Sequence, residues 1–280
     1  MNLIPSPFFA AVEEGLTKSP VKLSVAGVEF TNSTVTAVIS ALLIVTVVQI
    51  AMRSPKLVPS GLQNLIELIV ESLSNFIESI TGRATMERGF WFFGGVFIFI
   101  FVSNVVSLLP GVGTIGYGVR LEDGAFKVTE PFFRGANANV NLTAAYTAIF
   151  FFMWFYWAFA ATGFKGFFSH IFASKVKFPN FIVNAIFVVV FFFVGLIEVF
   201  SIIIIRPIAF TFRLYGNIFG GESFLDTIYH MAPNIAFLTL IPAYAWEFVV
   251  AFVQAFAFFI LSVVFTGILT NNPDHEKDGH

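Results

Sequence analysis

Residues 89–110, GFWFFGGVFIFIFVSNVVSLLP, run without one charged side chain. A helix needs roughly 20 mostly apolar residues to cross ~30 Å of hydrocarbon, so this stretch is long enough to span a bilayer. Working outward, Phe30 to Met52 is also uncharged, and Gly135 to Phe164 contains NVNLTAAYTAIFFFMWFYWAFAA. Two further apolar regions, Phe178 to about Tyr229 and about Asn234 to Thr270, are interrupted by Glu198, Arg206, Arg213, Glu222 and Glu247. The expected fold is an all-α polytopic membrane protein with about five crossing helices.

Composition agrees. Of 280 residues, 57% are hydrophobic and 11% charged, with 40 Phe, which leaves too little polar surface for a dispersed soluble protein. The formal net charge is −2 and no basic block stands out, so nucleic acid is excluded as a partner. Cys is absent, which excludes disulfides, thiolate metal sites and Cys nucleophiles. His170, His230, His275 and His280 are scattered without metal-ligand spacing, and neither a metal nor a cofactor is expected. The start, MNLIPSPFFAAVEEGLTKSP, has early prolines and two acids, unlike a cleaved signal peptide. Residues 1–29 are expected as an extracytoplasmic segment and 30–280 as a single membrane domain ending in the polar tail 271–280, NNPDHEKDGH.

Between the first two spans, Leu62, Leu65, Ile66, Ile69, Leu73, Phe76, Ile77 and Ile80 recur at helical spacing, with Glu67, Glu71, Ser74 and Glu78 opposite. This predicts a helix lying along the membrane, its acidic face covered by a partner chain or by the protein's own loops rather than by anionic headgroups. Residues 112–134 and 165–179 read as loops. Cytoplasmic loops carry excess Lys and Arg. Arg53, Lys56, Arg83 and Arg88 flank the surface helix and Lys165, Lys175 and Lys177 follow the third span, whereas the opposite loop balances Arg120, Lys127 and Arg134 against Glu122, Asp123 and Glu130. Five crossings then put the N-terminus outside and the C-terminus in the cytoplasm.

An ionisable side chain at the bilayer centre costs at least ~3 kcal/mol, so such residues face a cavity or a partner. Arg213 is the least negotiable, because a guanidinium cannot shed its proton to escape that cost. A structural ion pair between helices is the bland alternative. If Pro233 marks a helical hairpin, residues whose numbers sum to about 467 to 469 lie side by side, which pairs Arg213 with Gln254 and Glu222 with Glu247. Gln254 follows Glu247 by two turns, and Asn217 lies one turn beyond Arg213. The two acids read either as a proton relay or as a structural pair sharing one proton. Glu198, about four turns before Arg213, reads as a cytoplasmic exit or as a helix-end acid at the interface. Arg206 precedes Pro207 and reads as a cation near a kink. The series Asn137, Asn139, Asn141 opens the third span, with Asn137 expected to cap the helix and Asn139 or Asn141 to line an aqueous entry.

The run RPIAFTFRLYGNIFGGES, 206–223, followed by VQAFAFFILS, 253–262, closely resembles subunit a of F-type ATP synthases. RSPKLVPSGLQNLIELIVE and FIFVSNVVSLLPG are similar to its bacterial and plastid branch, and the resemblance covers most of the chain from about residue 30. It implies one upright helix, a membrane-surface helix, a hairpin and two long, tilted helices against a rotating ring. It also implies that Arg213 faces the carboxylate of a c-ring subunit and separates two half-channels, with Asn217, Glu222, Glu247 and Gln254 around the inlet. The chain would be a proton-translocating stator subunit of the Fo sector, not an enzyme by itself. Its partners would be the c-ring, b-type peripheral stalk subunits and membrane lipid, in the bacterial plasma (inner) membrane. Two departures stand out: Asn139 replaces a common Asp, and Glu198 lies one residue farther from Pro207 than the usual upstream acid. A secondary transporter or channel with a buried Arg/Glu site, a purely structural membrane subunit and a lipid-directed enzyme are the other classes. The first calls for inverted repeats and the last for a catalytic cluster, and the sequence has neither.

Overall fold

The computed structural model describes residues 22–25, 28–109, 111–113, 115–120, 126–172, 181–231 and 235–270. The expected N-terminal segment up to residue 21, the bend at Pro233, Lys175, Lys177, Glu122, Asp123 and the tail 271–280 therefore lie outside the described residues. A short hairpin, β1 (Lys22–Val25) and β2 (Val28–Thr31), leads into α1 (Asn32–Ala51). Thr31 caps that helix, its Oγ1 accepting from the Thr34 amide at 3.3 Å. Next come α2 (Leu62–Thr81) and α3 (Arg83–Ser107), then the antiparallel pair β3 (Gly116–Arg120) and β4 (Phe126–Pro131). A 3₁₀ turn, Ala136–Ala138, precedes α4 (Val140–Phe172). Finally α5 (Phe181–Phe200), a π turn (Ser201–Ile205) and α6 (Arg206–Met231) form one continuous helix, antiparallel in sequence order to α7 (Ala236–Thr270).

Among the described residues, five helical stretches are long and apolar enough to cross a membrane: Asn32–Ala51, Arg83–Ser107, Val140–Ala160, Ile186–Tyr229 and Ala236–Gly267. The chain is an all-α integral membrane protein with two short hairpins appended. At 1.5 Å per residue the 44 residues of Ile186–Tyr229 make about 66 Å of helix, which fits ~30 Å of hydrocarbon only when steeply tilted.

Two expectations change. Residues 112–134 are not simply a loop, since β3 and β4 pair there with a register shift at Tyr117/Gly118. Residues 165–172 continue α4 beyond a kink at Gly163, whose φ of 67° only glycine adopts readily. At Pro207, near which a kink is expected, the helix runs on through a π turn. The ring of Pro207 would meet the carbonyl one turn back in a straight α-helix, but the preceding turn is widened, with the Arg206 amide reaching back to the Ser201 carbonyl.

The helices close on an aromatic core. Phe92, Phe93 and Phe97 of α3, Phe150, Phe151 and Trp154 of α4, Phe210 of α6 and Phe258 and Phe259 of α7 are buried together. Phe210 is central, stacked 5.7 Å from Phe150 and edge-on at 4.9 Å to Phe258. The amphipathic α2 joins this core with Leu73 and Ile77, while its N-terminal apolar positions Leu62, Leu65 and Leu68 stay exposed. Part of its acidic face is held by the chain itself: Gln63 donates to Glu67 at 2.8 Å and brackets the Lys56 backbone at 3.0 and 3.1 Å.

Candidate functional site

Phe210, Leu214 and Ile218 recur every turn of α6 and are buried, which fixes the rotation of that helix. On the neighbouring stripe Ala209, Gly216 and Gly220 are exposed, and a Cβ on Gly216 or Gly220 would meet nothing within 4 Å. Arg213 sits at the boundary between the two stripes, half-buried, its guanidinium carbon 5.7 Å from the Phe210 ring centre. Among the described residues no carboxylate forms an ion pair with it.

Across the hairpin, Gln254 donates from Nε2 to the Arg213 backbone oxygen at 2.9 Å. The helical-hairpin register read from the sequence therefore holds at this level. One layer along, Glu247 packs directly on Gly221: a Cβ added there would overlap the carboxylate and stand 2.9 Å from its Cδ. Glu247 is 7% exposed, the one buried carboxylate among the described residues. Ala243, Ala251 and Ala255 share its face of α7, and with Gly221 they let α6 and α7 approach closely. Glu222 is half-buried beside this contact, and Asn217 is half-buried one turn from Arg213.

Two amides that sequence reasoning left out of the site are linked to α7 one turn from Glu247. Asn137 donates to the Asn104 Oδ1 at 2.6 Å, and Asn104 reaches the Ala251 carbonyl at 3.4 Å, one turn from Glu247. Both amides are fully buried. Asn104 was visible as a polar residue inside the uncharged run 89–110, a position where polarity is costly. Asn137 was expected as the helix cap, and that expectation is corrected. The helix begins at Val140, so Asn139 is the cap: its side chain accepts from the Asn141 amide at 3.0 Å and its carbonyl from Thr143 at 3.1 Å. Asn139 also donates to Thr31 at 3.3 Å, and Asn141 is exposed at the helix start.

Glu198 and Arg206 pair across the π turn. The widened turn, Ser201–Ile205, lies between Glu198 and Pro207. The Arg206 guanidinium also lies over the Phe265 ring, 4.5 Å from its centre, which ties the turn to α7. No group of three or more His, Asp or Glu with metal-binding geometry occurs among the described residues.

The arrangement is a membrane-buried cation flanked by an exposed small-residue stripe, with protonatable and amide groups aligned toward one end. Residues 34–267 match the model of the family described as ATP synthase A chain. The chain belongs to that family. It is similar to the ATP synthase subunit a of Desulfosudis oleivorans, 32% identical over 235 residues that cover 82% of this chain and 83% of the relative. The ATP synthase subunit a of Campylobacter jejuni subsp. doylei is 31% identical, covering 80% and 84%. That of Geobacter sulfurreducens is 29% identical over 251 residues, covering 88% and 89%. Membership makes this chain a proton-translocating membrane subunit of the Fo sector, working with other subunits and not itself the catalytic part.

Proposed function

We infer that Arg213 is the fixed charge against which a rotor carboxylate loads and unloads its proton, and that it separates two half-channels. The observation that carries this reading is the stripe Ala209, Arg213, Gly216, Gly220: an obligate cation set among small, uncovered residues at which another helix can approach closely. The partner is a c-ring helix bearing a carboxylate, and b-type peripheral stalk subunits hold the chain against rotation. The membrane is the bacterial plasma (inner) membrane, with the N-terminus outside and the C-terminal tail cytoplasmic.

Protons enter from the outside past Asn139 or Asn141 and the Asn137–Asn104 chain to Glu247 and Glu222. Buried oxygens of Ser33, Ser103 and Asn137 lack hydrogen bonds among the described residues, which suits water along this route. A protonated ring carboxylate is neutral and turns into lipid; the next one arriving at the inner side releases its proton toward Glu198. Gln254 and Asn217 fix and flank the Arg213 turn. Each proton yields about 2.3 kcal/mol per 100 mV, so several are needed for each ATP.

The absence of Cys allows a direct test. A photoreactive probe on Ala209→Cys, one turn from Arg213 and exposed, is expected to cross-link to a ring subunit in the intact complex, while the same probe on Phe152→Cys, exposed on α4, is not. An assembled complex in which position 209 labels only lipid would remove the ring from this face.

A further inference from the structure

Glu198 and Arg206 are eight positions apart, yet their side chains are in contact. Two turns of α-helix take about 7.2 residues, so positions eight apart drift off a common face unless one turn is widened. The π turn Ser201–Ile205 supplies that widening by absorbing roughly one extra residue. Arg206 in turn precedes Arg213 by seven residues, close to two turns, so Glu198, Arg206 and Arg213 fall on one stripe with a rise of roughly 10 Å per step. The pair is partly shielded, with side chains 24% exposed for Arg206 and 43% for Glu198. Beside the same turn, Phe155, Phe159, Phe168, Ile171, Ile202 and Ile203 line an apolar cavity of about 120 Å³. Glu198 and Arg206 supply the charged groups at this turn. Phe265 holds the guanidinium from α7, so its place is set by packing as well as by charge.

We propose that Arg206 is a positioning residue for proton release: across the π turn it keeps the Glu198 carboxylate on the stripe of Arg213, where a proton leaving the inner half-channel meets it. This rests on the release-side role given to Glu198 above. A fixed Arg is suited to the task because it stays charged whatever the proton occupancy of its neighbour. The π turn is then a means of alignment and not a defect.

The test uses the whole complex in inverted membrane vesicles, with assembly quantified and both ATP-driven acidification and passive proton conduction measured. Arg206→Gln is expected to lower conduction about tenfold, as when a proton-transfer group is retained but misplaced, and Arg206→Lys to stay within about twofold. Deleting Ile203 brings the pair to seven residues apart, again two turns, so at least about half of the conduction is expected to survive. The charge swap Glu198→Arg with Arg206→Glu restores the pair and assembly but moves the carboxylate, so conduction stays low. Full recovery in the swap would make the pair a structural clamp and overturn the proposal, as would full conduction in an assembled Arg206→Gln complex. Glu198→Gln separates the two readings. If it conducts normally, the release-side role of Glu198 fails; if it is impaired while Arg206→Gln is not, only the positioning role fails.

Discussion

Arg213→Lys is expected to assemble normally and to lose coupled ATP-driven proton pumping by at least about a hundredfold, the scale seen when a fixed charge stabiliser is removed from a reaction path. The substitution keeps a cation in aqueous solution but not of necessity here. Arg213 is half-buried against Phe210 and has no carboxylate partner among the described residues, so its charge is sustained by chemistry rather than by a neighbour. An ammonium in that setting can discard its proton, and a guanidinium cannot. Lys also lacks the planar fork that can contact a carboxylate with two parallel bonds. Gln254 bonds the Arg213 backbone and not its side chain, so the α6–α7 contact survives the exchange and assembly is a fair control. Arg213→Ala is expected to go further and let protons leak between the half-channels without ATP, because no fixed charge then divides them. Full coupled pumping in assembled Arg213→Lys would sink the proposed role of this residue.

Much of this arrangement was legible because lipid simplifies the problem. Long apolar stretches mark the crossings even where single charges interrupt them, and the helical period of α6 and α7 brings Arg213 level with Gln254. What escaped the sequence depends on local backbone economy. The π turn is invisible to periodicity because isoleucines at 202–205 suit lipid in any helical phase. The Asn137, Asn139, Asn141 series was read with one helical period, yet the chain makes a 3₁₀ turn first, which turns Asn137 inward to Asn104 and leaves Asn139 as the cap. The charge at Lys165 makes 165–179 read as a loop, but Gly163 at positive φ bends the chain and lets a second helical segment follow. The β3–β4 pair, with Gly116, Gly118 and several charges, lacks the apolar alternation that announces a strand. Asn104 gives a weaker signal, because an amide in a span is modest beside a charge, although the same desolvation argument applies to it.

The closeness of Glu247 to Gly221 yields the second large effect. Glu247→Gln is expected to reduce proton pumping about a hundredfold if its carboxyl relays protons, since general acid–base groups contribute on that scale. The same loss should be reachable without touching the acid. Gly221→Val places branched carbon where the Glu247 carboxyl lies, and the nearest atoms at 2.9 Å or less leave it no room to stay. Displaced, the carboxyl leaves the α6–α7 seam and loses its line to the Asn104–Asn137 chain. Gly221→Ala is expected to fall between wild type and Gly221→Val. The double variant Gly221→Val with Glu247→Ala decides between steric damage and lost chemistry. If the seam merely tolerates a limited volume, removing the Glu side chain makes room for the valine and activity returns. If the carboxyl is the working group, the double variant assembles as well as Glu247→Ala alone and pumps no better than it. Recovery of near wild-type acidification in the double variant would reduce Glu247 to a spacer and leave Glu222 as the inlet acid.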